Sequence, residues 1–155
     1  MTSSAFDYLQ EMIQSIVLAF TAIEAFANET IPSDYIYGRH HRSEIILQAV
    51  GKTEIERRIT IDEKLCEVLP DVLKCKSPKG SSCWQAYKKL RETRDRIIHM
   101  KTEDRRSSGP EIETIWKAIV TSPAPHRAAK SLIEHFGKSM EVMPKWLQLI
   151  PPELR

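Results

Sequence analysis

The stretch "SCWQAYKKLRETRDRIIHM", residues 82–100, places apolar side chains at alternating steps of three and four, the spacing of one helix face. Arg94 falls inside this apolar stripe, and Arg91 lies at its border. A guanidinium cannot be deprotonated at accessible pH, and burying it without a partner is costly. We therefore expect Arg94 to have an anionic partner or to line a wet cleft. The other members of the stripe are Cys83, Tyr87, Leu90, Ile97 and Ile98.

The first helix supplies a candidate partner. The same spacing predicts a helix from about Ala5 to Glu29, which Pro32 ends, and Glu24 lies on its apolar face. Two opposite charges on facing stripes predict a Glu24–Arg94 pair, which could serve chemistry or only fix the register of two packed helices. Polar residues within the run argue against a membrane span: Gln14, Ser15, Thr21 and Glu24.

Further helices follow from local signals. The stretch "TIDE", Thr60 to Glu63, has the form of a capping box and predicts a helix through Val68, with Pro70 at its end. Two more helices are predicted over Glu111 to Val120 and over Ala124 to Phe136, with Gly137 as the stop signal. The tail is expected to pack on the bundle through Trp146, Leu147 and Ile150.

The segment from Ile31 to Lys52 is predicted to be an irregular connection between helices, called the excursion below. A short strand over Tyr35 to Tyr37 is one interpretation, and "RSEIILQAV" fits a helix or a strand equally well. Taken together, the patterns predict an all-α fold: a compact bundle of four main helices plus short extra helices. We expect one domain over residues 1–155, with a core at about 5–136.

Composition narrows the classes of function. The 155 residues are 41% hydrophobic and 28% charged, as in a globular domain. A net charge of +2 is too small to indicate a nucleic-acid binder by itself, so any basic site must be local. Three cysteines without a CxxC pair, and no signal peptide, favour free thiols, a cytoplasmic location and no metal site.

His99 adds a group that can transfer protons. It lies five positions after Arg94, about 140° further round the helix, where a long arginine can still reach toward the helix end. Asp95 lies four positions before His99 and could hydrogen-bond a ring nitrogen, fixing the tautomer and raising the pKa of the imidazole. A single histidine on a helix is more often an ordinary surface residue. The combination of Arg94, Asp95 and His99, followed by the polar loop "EDRRSSGP", favours a site.

The stretch "RDRIIH", Arg94 to His99, resembles the R-x(4–6)-H motif of the HEPN superfamily. Asp95 matches the small polar residue that often follows the arginine in that family. Glu24, in "FTAIEAFANE", matches a polar residue that the first long helix often places opposite the motif. The resemblance covers roughly residues 5–136 and does not account for the excursion at 31–52.

The resemblance implies a compact all-α, HEPN-like domain that acts as a metal-independent endoribonuclease without a cofactor. Such domains are commonly homodimers in which two motifs face one cleft. RNA supplies its own nucleophile, the 2′-hydroxyl, so the protein needs a proton carrier and a cation for the charge that develops on phosphate. His99 is expected to move the proton, Arg94 to stabilise the phosphorane-like oxygens, and Asp95 and Glu24 to support them.

Basic residues around the motif are expected to bind flanking phosphates of single-stranded RNA, although most surface charges are simply solvated. They are Lys88, Arg91, Arg96, Lys101, Arg105 and Arg106. Family members often act as toxins in toxin–antitoxin or phage-defence systems, beside a nucleotidyltransferase-like antitoxin. The alternative from another class is a non-catalytic, HEPN-like dimerisation module that binds a nucleotide or a protein partner.

Overall fold

The computed structural model describes residues 3–40, 47–102, 104, 114–142 and 145–148. Within these ranges the chain is mostly helical and contains one two-stranded hairpin. The elements, in chain order, are α1 (Ser3–Thr30), β1 (Ile36–His40), β2 (Leu47–Gly51), α2 (Lys52–Arg58), α3 (Ile61–Glu63), a π-helical segment (Lys64–Val68), α4 (Leu69–Leu73), α5 (Ser82–Ile98), α6 (Ile115–Val120), α7 (Pro125–Gly137) and α8 (Lys145–Gln148).

Helices α1, α5 and α7 pack against one another and form the centre of the described structure. Tyr87 of α5 and Phe136 of α7 are fully buried. The ring of Phe20, from α1, lies 6.2 Å from the ring of Tyr87 in a stacked arrangement. The predicted apolar stripes therefore face each other, except at their ends, where Phe6 and Ile98 are exposed.

The bounds of α1 and α5 agree with the sequence patterns. Helix α5 begins after Ser81, whose Oγ accepts a hydrogen bond from the backbone N–H of Trp84 at 3.2 Å. This bond satisfies one of the N–H groups that a helix start leaves unpaired. Helix α5 ends at Ile98, so His99 occupies the C-cap position, with φ −117° and ψ 49°.

The N-cap at Thr60 is confirmed, but the end of the helix that follows it was predicted wrongly. Thr60 Oγ1 accepts from the backbone N–H of Glu63 at 3.2 Å. Helix α3, the π-helical segment and α4 then form one continuous helical stretch that passes through Pro70 to Leu73. A stop at Val68 overlooked the π-helical segment Lys64–Val68, which changes the backbone hydrogen-bond pattern directly ahead of Pro70.

The excursion contains the hairpin, which is the exception to the predicted all-α fold. Strands β1 and β2 are antiparallel, with Ile36 opposite Gly51. The hydroxyl of Tyr37 lies 2.8 Å from Glu67 Oε2 and 3.2 Å from Glu63 Oε1, which ties the hairpin to the helical stretch after Thr60. The ambiguous "RSEIILQAV" thus ends in a strand, while its residues 42–46 lie outside the described part of the chain.

The C-terminal helices follow the prediction in outline. The helix predicted over Glu111 to Val120 is α6, which begins at Ile115. Residues 111–113 lie outside the described ranges. Helix α7 ends at Gly137 as predicted. Trp146 of α8 is about half exposed and borders an apolar groove of about 530 Å³ between α1 and α7. The side chain of Leu147 lies outside the described part of the structure. Ile150 lies outside the described residues.

By length and composition, the α1 segment Ser4–Thr30 is also long and apolar enough to cross a membrane. The core helix of a folded domain passes the same test. Helix α1 buries Ile16, Phe20 and Ile23 within the bundle, and it contacts both α5 and α7.

Candidate functional site

Arg94 lies in the apolar stripe as predicted, and two neighbours hold it there. Its side chain is 27% exposed, and its Cζ lies 4.4 Å from the ring centroid of Phe20. Its Nη1 donates to Asp95 Oδ1 at 2.9 Å. The cation–π contact and the ion pair together compensate for the partial loss of water around the guanidinium.

The predicted Glu24–Arg94 pair is wrong as a direct contact: among the described residues, no ion pair joins these two side chains. Glu24 instead lies within electrostatic reach of the buried Lys64. The Lys64 ammonium donates to Asn28 Oδ1 at 2.7 Å and to the Glu56 carbonyl oxygen at 3.1 Å. Burial lowers the pKa of Lys64, and the charges of Glu24 and Glu56 oppose that shift.

Arg91 is held by a carboxylate that the sequence did not single out, that of Asp62 in α3. Arg91 Nη1 donates to Asp62 Oδ2, and the hydroxyl of the buried Tyr87 donates to Asp62 Oδ1 at 2.6 Å. Burial, followed by the hydrogen bond to Asp62, raises the pKa of Tyr87, so the phenol stays a donor. In the sequence, Asp62 is an acidic residue in the first turn of a helix, where a negative charge interacts favourably with the helix dipole. Because such residues are common, its position gives no sign of a tertiary partner.

These side chains line two cavities along α5. The inner cavity, about 250 Å³, is lined by Phe20, Glu24, Thr60, Ile61, Asp62, Arg91, Arg94 and Asp95. The outer cavity, about 750 Å³, is lined by Asp62, Gln85, Lys88, Lys89, Arg91, Glu92 and Asp95. The structure therefore brings together five of the predicted residues, Glu24, Lys88, Arg91, Arg94 and Asp95, and adds Asp62.

His99 lies one turn beyond these cavities and is exposed. The predicted bond between the Asp95 carboxylate and the imidazole is wrong. The Asp95 carboxylate contacts Arg94, and its Oδ2 lies 3.6 Å from Arg91 Nε. Contact between residues 95 and 99 is through the backbone, where His99 N–H donates to the Asp95 carbonyl at 2.8 Å. The physical reason is that the Asp95 carboxylate lies between two guanidiniums, with which it forms charge-assisted contacts in place of the predicted one to the imidazole.

Arg96 has a structural partner rather than an open position. Its Nε donates to Asp104 Oδ1 at 2.8 Å, and the backbone N–H of Lys101 donates to Asp104 Oδ2 at 3.2 Å. Asp104 is only 7% exposed, so this contact ties the chain after His99 back to α5. The start of the polar loop "EDRRSSGP" is therefore anchored through Asp104. Arg105 and Arg106 lie outside the described residues.

The Asp104 contact predicts a stability difference that depends on pH. The hydrogen bond from Arg96 lowers the pKa of the Asp104 carboxyl below its ordinary 3.8. A carboxyl with a lowered folded-state pKa stabilises the fold fully above its unfolded pKa, and that contribution is lost as pH falls through the folded pKa. Asp104→Asn should therefore unfold at lower urea concentration at pH 7, and the difference from wild type should shrink below about pH 3.8.

The matched control is Asp34→Asn, at an exposed aspartate in the turn before β1. It should leave the urea midpoint nearly unchanged at both pH values. A gap between wild type and Asp104→Asn that stays constant from pH 7 to pH 3 would contradict a stabilising charge on Asp104.

The charge balance of the inner cavity limits its chemistry. Three carboxylates, from Glu24, Asp62 and Asp95, surround two guanidiniums, from Arg91 and Arg94. A phosphate entering this cavity must compete with these carboxylates for the guanidinium donors. Within the described residues, no cluster of three or more histidine, cysteine or acidic side chains could hold a metal ion, and all three cysteines are free thiols.

Comparison with known proteins found no family model, no curated protein and no solved structure that matches this chain.

Proposed function

We propose that this chain is a metal-independent endoribonuclease that cleaves single-stranded RNA through attack of the 2′-hydroxyl. The observation that carries the proposal is that one helix, α5, presents Arg94 to a cavity and His99 at the adjacent helix end. The resemblance of "RDRIIH" to the HEPN motif gives the same assignment. An HEPN-like bundle of four main helices is part of the proposal.

In this reaction the 2′-oxygen forms a bond to phosphorus, and the bond from phosphorus to the 5′-oxygen breaks. His99 accepts the proton of the 2′-hydroxyl, and a protonated His99, of the same or of the second chain, delivers a proton to the leaving 5′-oxygen. Arg94 donates hydrogen bonds to the phosphorane oxygens, for which its planar fork of donors is suited. The products carry a 2′,3′-cyclic phosphate and a 5′-hydroxyl.

The distance along the helix between Arg94 and His99 favours a homodimer. Within the described part of the chain, His99 lines neither cavity, whereas Arg94 lines the inner one. Two copies meeting near the ends of their α5 helices would let the imidazole of one chain approach the guanidinium of the other. We place this homodimer in the cytoplasm, in a toxin or phage-defence role with a nucleotidyltransferase-like antitoxin.

Incubating the purified protein with end-labelled single-stranded RNA in EDTA tests the activity. We expect cleavage of RNA and none of DNA of the same sequence, because DNA lacks the 2′-hydroxyl. Cleavage that needs added divalent metal, or that affects DNA equally, would contradict the proposal.

One observation favours the alternative, a non-catalytic HEPN-like dimerisation module. Both guanidiniums of the inner cavity already have carboxylate partners, so neither is an uncommitted phosphate ligand in this conformation. A dimer that binds a nucleotide or protein partner but leaves every tested RNA intact is the result expected of such a module.

A further inference from the structure

The two cavities along α5 are separated by one group of side chains. Asp62, Arg91 and Asp95 line both of them. The Arg91–Asp62 ion pair therefore forms the wall between the inner cavity at Arg94 and the outer cavity at Lys88 and Lys89. A change at this pair alone would join the two spaces into one groove that follows α5.

The Arg91 and Asp62 side chains can separate at low cost. Its side chains are partly exposed, 39% for Arg91 and 34% for Asp62, and ion pairs in contact with water are weak. When Arg91 leaves, Asp62 still accepts the hydrogen bond from Tyr87 at 2.6 Å, so the carboxylate does not become unpaired. Arg91 also keeps Asp95, 3.6 Å from its Nε, as a neighbour on α5.

Asp62 also occupies the place that a phosphate would take. Its Oδ2 accepts a hydrogen bond from Arg91 Nη1. The same N–H donors of a guanidinium bind phosphate oxygens. Besides Asp62 and Arg91, the outer cavity is lined by two lysines, Lys88 and Lys89, and two carboxylates, Glu92 and Asp95. Once Asp62 is displaced, this space has more basic than acidic side chains along the path of a strand.

We propose that the outer cavity is a second phosphate subsite for a single-stranded RNA backbone, and that Asp62 controls entry to it by competing with phosphate for Arg91. An RNA phosphate displaces the Asp62 carboxylate, and the strand then lies in one groove from Arg94 to Lys88. Asp62 is thus a specificity residue: it favours ligands with several linked phosphates, which can contact Arg91 and the lysines at once. The identity of the strand as RNA rests on the proposed function.

Asp62→Asn tests this proposal, because the amide still accepts from Tyr87 but does not compete as an anion. The matched control is Glu92→Gln, which removes one negative charge from the same cavity. Among the described contacts, Glu92 does not pair with Arg91. Two probes are used: pyrophosphate, followed by calorimetry, and a 2′-O-methyl RNA oligonucleotide, which cannot be cleaved, followed by fluorescence anisotropy. Thermal melts establish that both variants are folded.

We expect Asp62→Asn to bind both probes about three- to ten-fold more tightly than wild type, and clearly more tightly than Glu92→Gln does. The oligonucleotide should also show a steeper salt dependence, by about 0.7 in the slope of log K against log salt, because in wild type the displaced Asp62 carboxylate offsets the neutralisation of one phosphate. A merely structural role for Asp62 would not change that slope.

Equal effects of Asp62→Asn and Glu92→Gln, or weaker binding by Asp62→Asn than by wild type, would overturn the proposal even if wild type cleaves RNA. If pyrophosphate binds more tightly to Asp62→Asn while no variant binds the oligonucleotide, the phosphate subsite stands and the ribonuclease assignment fails. The two claims can therefore fail separately.

Discussion

His99→Ala is expected to lower the rate of RNA cleavage by about 10²–10⁴-fold, because general acid–base catalysis typically contributes that much. RNA affinity should change little, since the imidazole is proposed to move a proton rather than to bind phosphate. The fold should also persist. His99 is exposed, and its structural contact is a backbone hydrogen bond that alanine can also make.

Single-turnover cleavage in EDTA measures the rate, and anisotropy with a 2′-O-methyl oligonucleotide measures the affinity. His126→Ala is the matched control, because His126 is an exposed histidine on α7 that borders the apolar groove instead of the α5 cavities. Equal cleavage by wild type and His99→Ala would assign the activity to another site or to a contaminant.

Arg94→Ala is expected to weaken both cleavage and phosphate binding, which distinguishes it from His99→Ala. Removing one donor to a developing oxyanion typically costs about 10²–10³-fold in rate. The loss of the Phe20 contact should lower the free energy of unfolding by only about 0.5–1 kcal/mol, as for a partly exposed cation–π pair. A folded, inactive protein is therefore the expected outcome.

Arg94→Lys separates charge from geometry. Lysine keeps the positive charge but presents a point charge rather than a planar fork of donors. We expect it to recover much of the binding and little of the rate. If Arg94→Lys cleaves as fast as wild type, the guanidinium does not stabilise the transition state through its two parallel donors.

The sequence predicted those features that local signals determine. The periodic stripes placed α1 and α5, Gly137 marked the end of α7, and the Thr60 cap is a contact between residues three positions apart. Arg94 was recognisable because a permanent charge within an apolar stripe needs a partner wherever the helix packs. The part of the site that lies on α5 could therefore be predicted from one helix.

The features that were missed depend on contacts far apart in the chain. Asp62 reaches Arg91 and Tyr87 only because α3 packs against α5, and its own neighbourhood in sequence gives no signal of that. The Glu24–Arg94 pair failed partly for a local reason, since Arg94 pairs with the adjacent Asp95, and partly because Lys64, distant in sequence, lies near Glu24. The hairpin was ambiguous because a short apolar run fits a helix or a strand until its pairing partner is known.

The chemistry of the product ends tests the central claim most directly. After wild-type protein has acted on single-stranded RNA in EDTA, mass spectrometry of the fragments identifies the group at each new terminus. Attack by the 2′-hydroxyl at the Arg94–His99 site predicts 2′,3′-cyclic phosphate and 5′-hydroxyl ends, and both should form about 10²–10⁴-fold more slowly with His99→Ala. Fragments ending in a 3′-hydroxyl and a 5′-phosphate would show that water attacked the phosphorus instead, and would contradict the account.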